Sequence, residues 1–415
     1  MDTDNDQILI LGGGFAGLFA ALELCDLQCP LPIRLIDSSQ DFVFKPFLYE
    51  LLCDDIETEQ IQPTFADLFA KRQATFWQDT VESIDLPARQ IHLSSGKNHA
   101  FRYLVLALGD VDSRSNSPGA ADHAFSFRSA QDVMVLRQHI QATLQKALST
   151  DNDEIRQACL NFVVVGAGRS GIELAATLAD FLPEQYQAMG GEPQEIRVVL
   201  LHRDAAILPT VKSDMRDAAL QALGDRQCPV DIRLETQANA VTADTVEYSQ
   251  HQQTHILPTA TTLWITGSVT HPLIRSLAVA PVHKDDRERP YLTSALQLIG
   301  YPHVFAGGDC AINVHTPRSA TAQIAHQQGR AIAKNIISMI QGQPSKPCST
   351  TENGILLKTG LDASVVEIFD TVMLTGRVGH LVRRAAYLSL LPTPESNLKR
   401  NTQWITGEVL SQFGL

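Results

Sequence analysis

The chain has 415 residues, a formal net charge of −13, and 44% hydrophobic and 19% charged residues. This length suits two or three domains. The acidic balance argues against nucleic acid as the main partner. The first residues lack the basic and apolar regions of a signal peptide, and no run approaches the roughly 18 apolar residues of a membrane-spanning helix. These features predict a cytosol-facing globular protein.

The seven cysteines form no pattern that is typical of a metal site or a redox pair. They contain no C-x-x-C motif, so the sequence predicts no metal site and mostly buried free thiols. Cys53 and Cys310 differ from the others because both lie in segments that are expected to approach a bound cofactor.

The first informative pattern is the glycine motif Gly12-x-Gly14-x-x-Gly17. It follows the aliphatic run 8–12, predicted as a strand, and opens the apolar stretch 14–27, predicted as a helix. In this context the first glycine permits a tight turn and the second lets the backbone approach a pyrophosphate. The third lets the helix pack on the strand. The pattern therefore favours dinucleotide binding, with the phosphates at the start of the helix.

Asp37 ends the strand predicted at 33–37 and lies 20 residues after Gly17. An acid at this spacing hydrogen-bonds the ribose hydroxyls of a bound dinucleotide. The alternative is a solvated aspartate at a strand end, but the spacing favours the ribose role.

A second glycine motif, Gly166-x-Gly168-x-x-Gly171, lies in the same strand–turn–helix context. The strands predicted around it are 162–166, 196–201 and 262–266. Two such motifs in one chain imply two bound dinucleotides. This combination suggests a flavoenzyme that is reduced by a nicotinamide nucleotide.

The remaining pattern predicts one dinucleotide domain interrupted by another. Strands are predicted at 101–110 and 304–310 and helices at 130–148 and 320–340, with 183–195 as a surface extension of the helix after the second glycine motif and of its loop. We therefore predict an α/β fold of two Rossmann-like domains, the second inserted in the first, followed by a C-terminal amphipathic helical tail. The predicted parts are 1–150 and 276–345 for FAD, 151–275 for NAD(P)H, and 346–415 for membrane association.

These segments resemble the two-dinucleotide-binding flavoproteins and, within that group, the type II NAD(P)H:quinone oxidoreductases. The resemblance covers nearly the whole chain and is carried by residues 12–18, 35–52, 103–110, 164–180, 263–269, 304–311 and 322–336. The last segment is similar to the alanine- and glutamine-rich helix that lines the quinone pocket in this family. The implied reaction passes a hydride from NAD(P)H to FAD and then two electrons to a quinone.

The resemblance implies a role for each matching residue. It implies contacts with FAD at Gly12, Gly14, Phe15, Ala16, Gly17, Asp37, Lys45, Pro46, Gly109 and Asp309. It implies contacts with NADPH or NADH at Gly166, Gly168, Gly171, Glu173, His202, Arg203 and Gly267. No metal is implied.

Four residues are implied in the reaction itself. Glu173 matches the acid beside the stacked nicotinamide and flavin, and Lys45 matches the loop near the isoalloxazine. Gln323 and Gln327 match two glutamines near the quinone head, and their spacing of four places them on one helix face. The alternative for the glutamines is an ordinary polar helix face. Protons for the quinol would come from water or from Gln323, Glu173 or Lys45.

The sequence departs from the family where the nicotinamide ribose is held. An acid usually ends that strand, whereas His202 and Arg203 stand here. Because a cation attracts the 2′-phosphate and an acid repels it, the pair favours NADPH. The alternative is that both are exposed strand-end residues and that Asp204 holds the ribose. A second departure is ALGD at 107–110, where the family usually has Ala-Thr-Gly.

The segment 376–391 predicts a basic amphipathic helix. Its apolar stripe comprises Val378, Leu381, Val382, Ala385 and Ala386, and its basic side comprises Arg377, His380, Arg383 and Arg384. The net charge from 376 to 400 is +4, which suits an anionic bilayer surface. The alternative is a docking helix buried against the body of the protein or against a dimer partner.

Residues 383–405 resemble the tails of the cyanobacterial and plastid branch of the family. That resemblance implies a peripheral protein on the cytoplasmic side of a thylakoid or plasma membrane, acting on plastoquinone or a demethylphylloquinone-type naphthoquinone. A homodimer is a further expectation. Two alternatives remain: an enzyme like sulfide:quinone oxidoreductase, which needs a cysteine pair at the flavin, and a non-catalytic FAD/NAD(P)H redox sensor.

Overall fold

The structure is a computed structural model that describes residues 6–314, 321–352, 354–369 and 371–392. Within this part of the chain the larger sheet has eight strands. Its central strands are fully buried aliphatic runs, as expected for parallel strands covered on both faces. In order across the sheet the strands are Ile312–Asn313, Tyr291–Leu292, Gln297–Leu298, Tyr301–Ala306, Tyr103–Leu106, Ile8–Leu11, Ile33–Asp37 and Ala74–Gln78.

The smaller sheet has five parallel strands in the described residues. Its order is Asp231–Arg233, Arg197–Leu201, Asn161–Val165, Thr261–Trp264 and Ala124–Phe125. The strand that precedes the second glycine motif lies at its centre, just as Ile8–Leu11 lies inside the larger sheet. The larger sheet takes strands from both before and after the smaller one along the chain.

Twelve α-helices flank these sheets in the described residues. They are Phe15–Asp26, Leu48–Leu52, Thr58–Ile61, Phe65–Phe69, Ala120–His123, Ala130–Ser149, Asp153–Leu160, Arg169–Ala188, Ser213–Gly224, Pro272–Arg275, Ala322–Ile340 and Gly376–Leu388. Helices Phe15–Asp26 and Ala322–Ile340 approach very closely, since a Cβ on Gly329 would lie 2.3 Å from the carbonyl oxygen of Ala16. This packing brings the first glycine loop beside the alanine- and glutamine-rich helix.

Small antiparallel sheets complete the described residues. Three have three strands each: Val81–Asp85, Gln90–Leu93 and Asn98–Ala100; Thr236–Val241, Thr245–Gln250 and Gln253–Pro258; and Gly354–Lys358, Ser364–Ile368 and Val372–Leu374. A two-stranded ribbon pairs Asp110–Asp112 with Ser268–Thr270 where the chain passes between the two larger sheets. We call residues 354–392 the C-terminal unit, because the third small sheet packs against helix Gly376–Leu388.

The predicted α/β fold and its principal strands and helices are confirmed. Residues 183–195 extend the helix that follows the second glycine motif, as predicted, since it continues to Ala188, but Pro183 and Tyr186 in this extension are buried. The predicted domain boundaries remain predictions, and residues 393–415 of the predicted tail lie outside the described residues. No helix in the described part of the chain has the length and apolar character needed to cross a membrane.

Candidate functional site

The two glycine loops have the same backbone geometry. The first glycine of each has a positive φ, 98° at Gly12 and 111° at Gly166, a conformation that favours glycine. The third glycine of each lies against the carbonyl oxygen of the first: a Cβ would be 1.9 Å from that atom at Gly17 and 1.7 Å at Gly171. Both loops therefore require glycine for the turn and for the close packing of helix on strand.

The second glycine of each loop faces open space. No atom of the described residues would lie within 4 Å of a Cβ on Gly14 or Gly168. Each is the N-cap of its helix and gives it no side-chain cap, whereas helix Ala130–Ser149 is capped by Ser129. The first N–H groups of helices Phe15–Asp26 and Arg169–Ala188 thus remain available to an anion. This is the cradle that a dinucleotide pyrophosphate requires.

Asp37 lies against the first glycine loop at the end of its strand. Its carboxylate accepts a hydrogen bond of 2.6 Å from the N–H of Gly13 and another of 2.9 Å from the N–H of Ser39. It also lines a cavity of about 300 Å³ together with Gly12, Gly14 and Asp309. The carboxylate is therefore held in place and faces the cavity, as a ribose ligand must.

A second cavity of about 410 Å³ continues from the first and shares Gly14, Lys45, Gly109 and Asp309 with it. The two together form an elongated cleft, and it brings together most of the predicted residues. The second cavity is lined by Gly14, Phe15, Ala16, Lys45, Pro46, Gly109, Glu173, Gly267, Asp309 and Gln323. A cleft that runs from Asp37 to Gln323 fits a flavin dinucleotide.

Charged side chains line the middle of the cleft. Burial lowers the pKa of Lys45, and the nearby Arg128 lowers it further. Burial and the charge of Asp110 raise the pKa of Asp309. Burial alone would raise the pKa of Asp110, but a hydrogen bond from Ser268 and the ion pair with Arg128 lower it. Asp110 is therefore ionised and is held by Arg128 at the start of the two-stranded ribbon.

Glu173 lies in the first turns of helix Arg169–Ala188 and is 8% exposed. Its Oε1 accepts a hydrogen bond of 2.9 Å from the N–H of Lys358 and lies 3.7 Å from Nε of Arg383. Burial raises the pKa of Glu173, and Arg383 opposes that rise. The carboxyl group therefore holds a proton to higher pH than a solvated glutamate does.

Comparison with known proteins agrees with this geometry. Residues 6–329 match the pyridine nucleotide-disulphide oxidoreductase family. The chain belongs to this family. It is similar to a demethylphylloquinone reductase of a Synechocystis strain, with 33% identity over 98% of this chain and 97% of that protein. It is also similar to a type II NADH:quinone oxidoreductase of Staphylococcus aureus, with 26% identity over 89% of this chain and 91% of that one.

A solved structure shares the fold. The NDH2 of Plasmodium falciparum in complex with NADH has a TM-score of 0.83 and 17% identity, and it covers 93% of this chain and 95% of its own. Within the pyridine nucleotide-disulphide oxidoreductases, this chain is an oxidoreductase of the type II NAD(P)H:quinone group.

The two residues expected to act as cations at the end of strand Arg197–Leu201 have different surroundings in this oxidoreductase. Nδ1 of His202 accepts a hydrogen bond of 3.2 Å from the N–H of Ala167, inside the second glycine loop. Burial also lowers the pKa of His202. Nδ1 of His202 therefore supports the loop, and Nε2 lies 3.5 Å from Asp204. The role of His202 in attracting the 2′-phosphate stays a prediction. The side chain of Arg203 is 77% exposed and lies beside Asp204.

The two predicted glutamines separate in the structure. Gln323 lines the cleft, but Gln327 is absent from the lining contributed by the described residues. Its amide forms two hydrogen bonds with the backbone of Thr351, 2.8 and 2.9 Å long. Gln328, which the sequence did not suggest, accepts a hydrogen bond of 2.7 Å from the N–H of Gly308. Gln327 fastens the segment before the C-terminal unit, and Gln328 fixes the double-glycine turn.

Three of the four residues on the predicted basic side of helix Gly376–Leu388 face inward and do not present their side chains to lipid, whereas Arg377 is exposed. Arg383 is 0% exposed, and His380 and Arg384 are also buried. Arg383 donates 2.6 and 2.8 Å hydrogen bonds to Glu50 and to the carbonyl of Pro46. Since these partners lie in a distant part of the chain, the helix pattern alone did not reveal them. The alternative of a helix that docks against the body is correct for this side.

Glu50 and Lys358 are the main residues that the sequence did not indicate. Each side chain is completely buried, and Nζ of Lys358 lies 3.2 Å from Oε1 of Glu50. Their one signal was a charged residue within an apolar run, LYELL and GILLK. Such a residue predicts a buried partner without naming it.

Buried His380 should make the stability of the fold pH-dependent. Burial, Lys358 and Arg383 lower its pKa from 6.5 to about 3. Between these values the unfolded chain binds one more proton than the folded protein, so the free energy of unfolding falls as the pH falls. The loss is up to about 1.4 kcal/mol per pH unit.

We expect His380→Gln to remove this contribution, as measured by urea unfolding between pH 5 and roughly pH 7.5. His123→Gln, at an exposed position, is the matched control and should leave the pH dependence unchanged. Equal pH dependence in the wild type and His380→Gln would contradict the prediction.

Proposed function

We propose that this chain is an FAD-dependent, non-proton-pumping NAD(P)H:quinone oxidoreductase that reduces a membrane quinone. One observation carries the proposal: the starts of both glycine-loop helices reach one cleft, through Phe15 and Arg169, and Glu173 and Gln323 line it as well. Two dinucleotides bound at these loops would meet in that cleft. The names of the relatives support the same reaction class.

The chain's residues have distinct tasks in this reaction. When bound, FAD would accept a hydride from the nicotinamide and pass two electrons to the quinone. The backbone N–H groups at Phe15 and Arg169 would bind the two pyrophosphates, and Asp37 would hold the flavin's adenosine ribose. Glu173 would hold a proton at the nicotinamide side, where burial favours its neutral form. Gln323 would orient the quinone head, and Lys45 would supply positive charge in the middle of the cleft.

The coenzyme preference depends on Arg203 in this proposal. Arg203 is exposed and follows the strand that pairs with the one leading into the second glycine loop, while Asp204 next to it suits a free ribose hydroxyl. His202 contributes by holding the loop. We infer a preference for NADPH, with binding of NADH as the alternative that Asp204 supports.

The quinone is proposed to be plastoquinone or a demethylphylloquinone-type naphthoquinone, as the name of the Synechocystis relative suggests. The C-terminal unit supports delivery from a membrane. It lines the cleft through Gly354, Leu356 and Tyr387. Four other apolar residues of this unit are exposed, and we call them the apolar patch: Phe369, Val372, Met373 and Val378.

The apolar patch replaces the basic helix face as the proposed contact with lipid. Its side chains are 44 to 74% exposed, and exposed Arg377 lies beside Val378 and suits anionic headgroups. Attachment to the cytoplasmic side of a membrane remains a proposal, as does a homodimer. Deletion from residue 376 would not test the contact, because it would also remove Tyr387 from the cleft wall and Arg383 from its ion pair with Glu50.

Two alternatives make different demands. A sulfide:quinone oxidoreductase needs cysteines at the flavin, yet Cys53, Cys159 and Cys310 are absent from the cleft lining in the described residues. A non-catalytic redox sensor would bind both dinucleotides without turnover. The second glycine loop, which is open to a nucleotide, disfavours the sulfide enzyme. Only kinetic measurements distinguish the redox sensor from the proposed reductase.

The first expected result is quinone-dependent oxidation of NADPH, faster than that of NADH, by purified FAD-loaded protein with a short-chain naphthoquinone. Steady-state absorbance of the nicotinamide measures it. Stable flavin without quinone-dependent turnover by either coenzyme would contradict the proposed function. Quinone reduction by sulfide but not by NAD(P)H would favour the sulfide enzyme.

Arg203→Ala should raise the KM for NADPH about 10- to 100-fold, the effect of losing a charged hydrogen bond worth about 1.5–3 kcal/mol. The KM for NADH should stay nearly unchanged, because NADH lacks the 2′-phosphate. Arg197→Ala, at the exposed opposite end of the same strand, is the control. If both coenzymes are affected equally, Arg203 does not bind the 2′-phosphate.

Met373→Ser/Val378→Ser should weaken binding to phosphatidylglycerol vesicles at least about tenfold. Full burial of one such side chain contributes about 1.5–3 kcal/mol, and each of these two has about half of its surface left to bury. Vesicle sedimentation measures the partition. Ile256→Ser/Val282→Ser removes two apolar residues that are 67% and 75% exposed outside the C-terminal unit and serves as the control. Unchanged partition of the Met373/Val378 variant would exclude the patch as the membrane contact.

A further inference from the structure

Four charged side chains meet in the interior where the C-terminal unit packs on the rest of the protein. Glu50 comes from helix Leu48–Leu52 and Glu173 from helix Arg169–Ala188, while Lys358 and Arg383 come from the C-terminal unit. Three are completely buried and Glu173 is 8% exposed. We call them the four-charge cluster. Burial of charges at this depth requires close partners.

The two carboxylates do not share the two cations equally. Oε1 of Glu50 lies 2.6 Å from Nη1 of Arg383 and 3.2 Å from Nζ of Lys358. Oε1 of Glu173 lies 3.7 Å from Nε of Arg383 and accepts its short hydrogen bond from a backbone N–H. Arg383 and Lys358 therefore both lie close to the carboxylate of Glu50, whereas Glu173 has only the longer contact with Arg383.

The titration of the two acids follows this geometry. Burial opposes ionisation of Glu50, but Arg383 and Lys358 outweigh it and lower the pKa of Glu50 to about 2. The same burial raises the pKa of Glu173 despite the presence of Arg383. The pKa values of two glutamates in one buried cluster are thus shifted in opposite directions.

We propose that Glu50 is a positioning residue for Glu173: by pairing with Arg383 and Lys358, it keeps Arg383 from forming a full ion pair with Glu173. Glu173 then faces the cleft as a proton-holding acid. This inference deepens the proposed function, on which it rests for the position of Glu173 beside the nicotinamide. Glu50 does not touch the cleft and acts only through Arg383.

The other charged and hydrogen-bonding groups around Glu173 do not do what Glu50 does, which is to hold Arg383 away from Glu173. From the flavin side, the hydroxyl of Tyr49 hydrogen-bonds Glu173, and Asp55 adds negative charge near Glu50. From the C-terminal helix, Tyr387 lies under the guanidinium of Arg383, and buried His380 is neutral at physiological pH. From its own helix, Arg169 is paired with Glu352 at 3.0 Å. Among these described groups, Arg383 is the cation whose contact with Glu173 depends on Glu50.

The test is a pH titration of Glu173 in FAD-loaded protein. Infrared difference spectroscopy of ¹³C-glutamate-labelled samples monitors the titration. Glu173→Gln identifies the carboxylic-acid band of Glu173 by its loss. In Glu50→Gln, Arg383 should turn to Glu173, and the proton affinity of Glu173 should fall tenfold or more. The midpoint of its band would then shift to lower pH by at least about one unit.

Two further variants separate positioning from packing. Glu50→Gln/Arg383→Gln should return the midpoint towards the wild-type value, because the cation that acts on Glu173 is gone. Glu23→Gln removes another buried glutamate, which pairs with Arg330 at 2.7 Å far from the cluster, and should leave the midpoint unchanged. If Glu50→Gln does not fold, Glu50→Asp keeps the charge but withdraws it from Arg383, and a smaller shift to lower pH is expected.

An unchanged midpoint in a folded Glu50→Gln or Glu50→Asp variant would overturn the proposal. Its failure is distinct from failure of the proposed function, since the infrared titration does not depend on turnover. A shifted midpoint without quinone-dependent activity in the wild type would retain the positioning role and reject the reductase. Normal activity with an unshifted midpoint would retain the reductase and reject the positioning role.

Discussion

The helices that begin at Phe15 and Arg169 rest on their strands only because Gly17 and Gly171 lack a side chain. A methyl group at either position would coincide with the carbonyl oxygen of the loop's first glycine. This contact fixes each helix start above the carboxyl end of its strand, where ligands of open α/β sheets bind. The position of the cleft and the contact of Asp37 with the first glycine loop follow from these two packing contacts.

The four-charge cluster is the second constraint, and it joins parts of the chain that the glycine loops do not. Loss of one member of such a buried pair typically costs about 3–5 kcal/mol, because the remaining charge is left without compensation. An apolar contact of similar size tolerates rotation and sliding, whereas paired charges accept one arrangement. The cluster therefore fixes the C-terminal unit, with Tyr387 in the wall of the cleft, relative to both dinucleotide-binding loops.

The sequence predicted those features whose cause is local. The glycine spacing, the acid that ends the second strand and the runs of buried aliphatic residues are each determined by neighbours along the chain, and the structure has them where the patterns indicated. Contacts between distant residues were not accessible in this way. Helix Gly376–Leu388 shows two faces in its sequence, but which face turns inward depends on Glu50. Likewise, the position of His202 at a strand end did not indicate its contact with the neighbouring glycine loop.

The long separation within the cluster bears on how the protein folds. Glu50 and Arg383 are 333 residues apart, so during synthesis the first glycine loop, its strands and helix Leu48–Leu52 emerge long before the cation that compensates Glu50. Until the C-terminal unit docks, Glu50 must stay hydrated or take up a proton, because an isolated buried carboxylate is prohibitively costly. The part of the cleft wall that the C-terminal unit contributes, including Tyr387, is therefore completed late in folding, after the chain has been synthesised beyond residue 383.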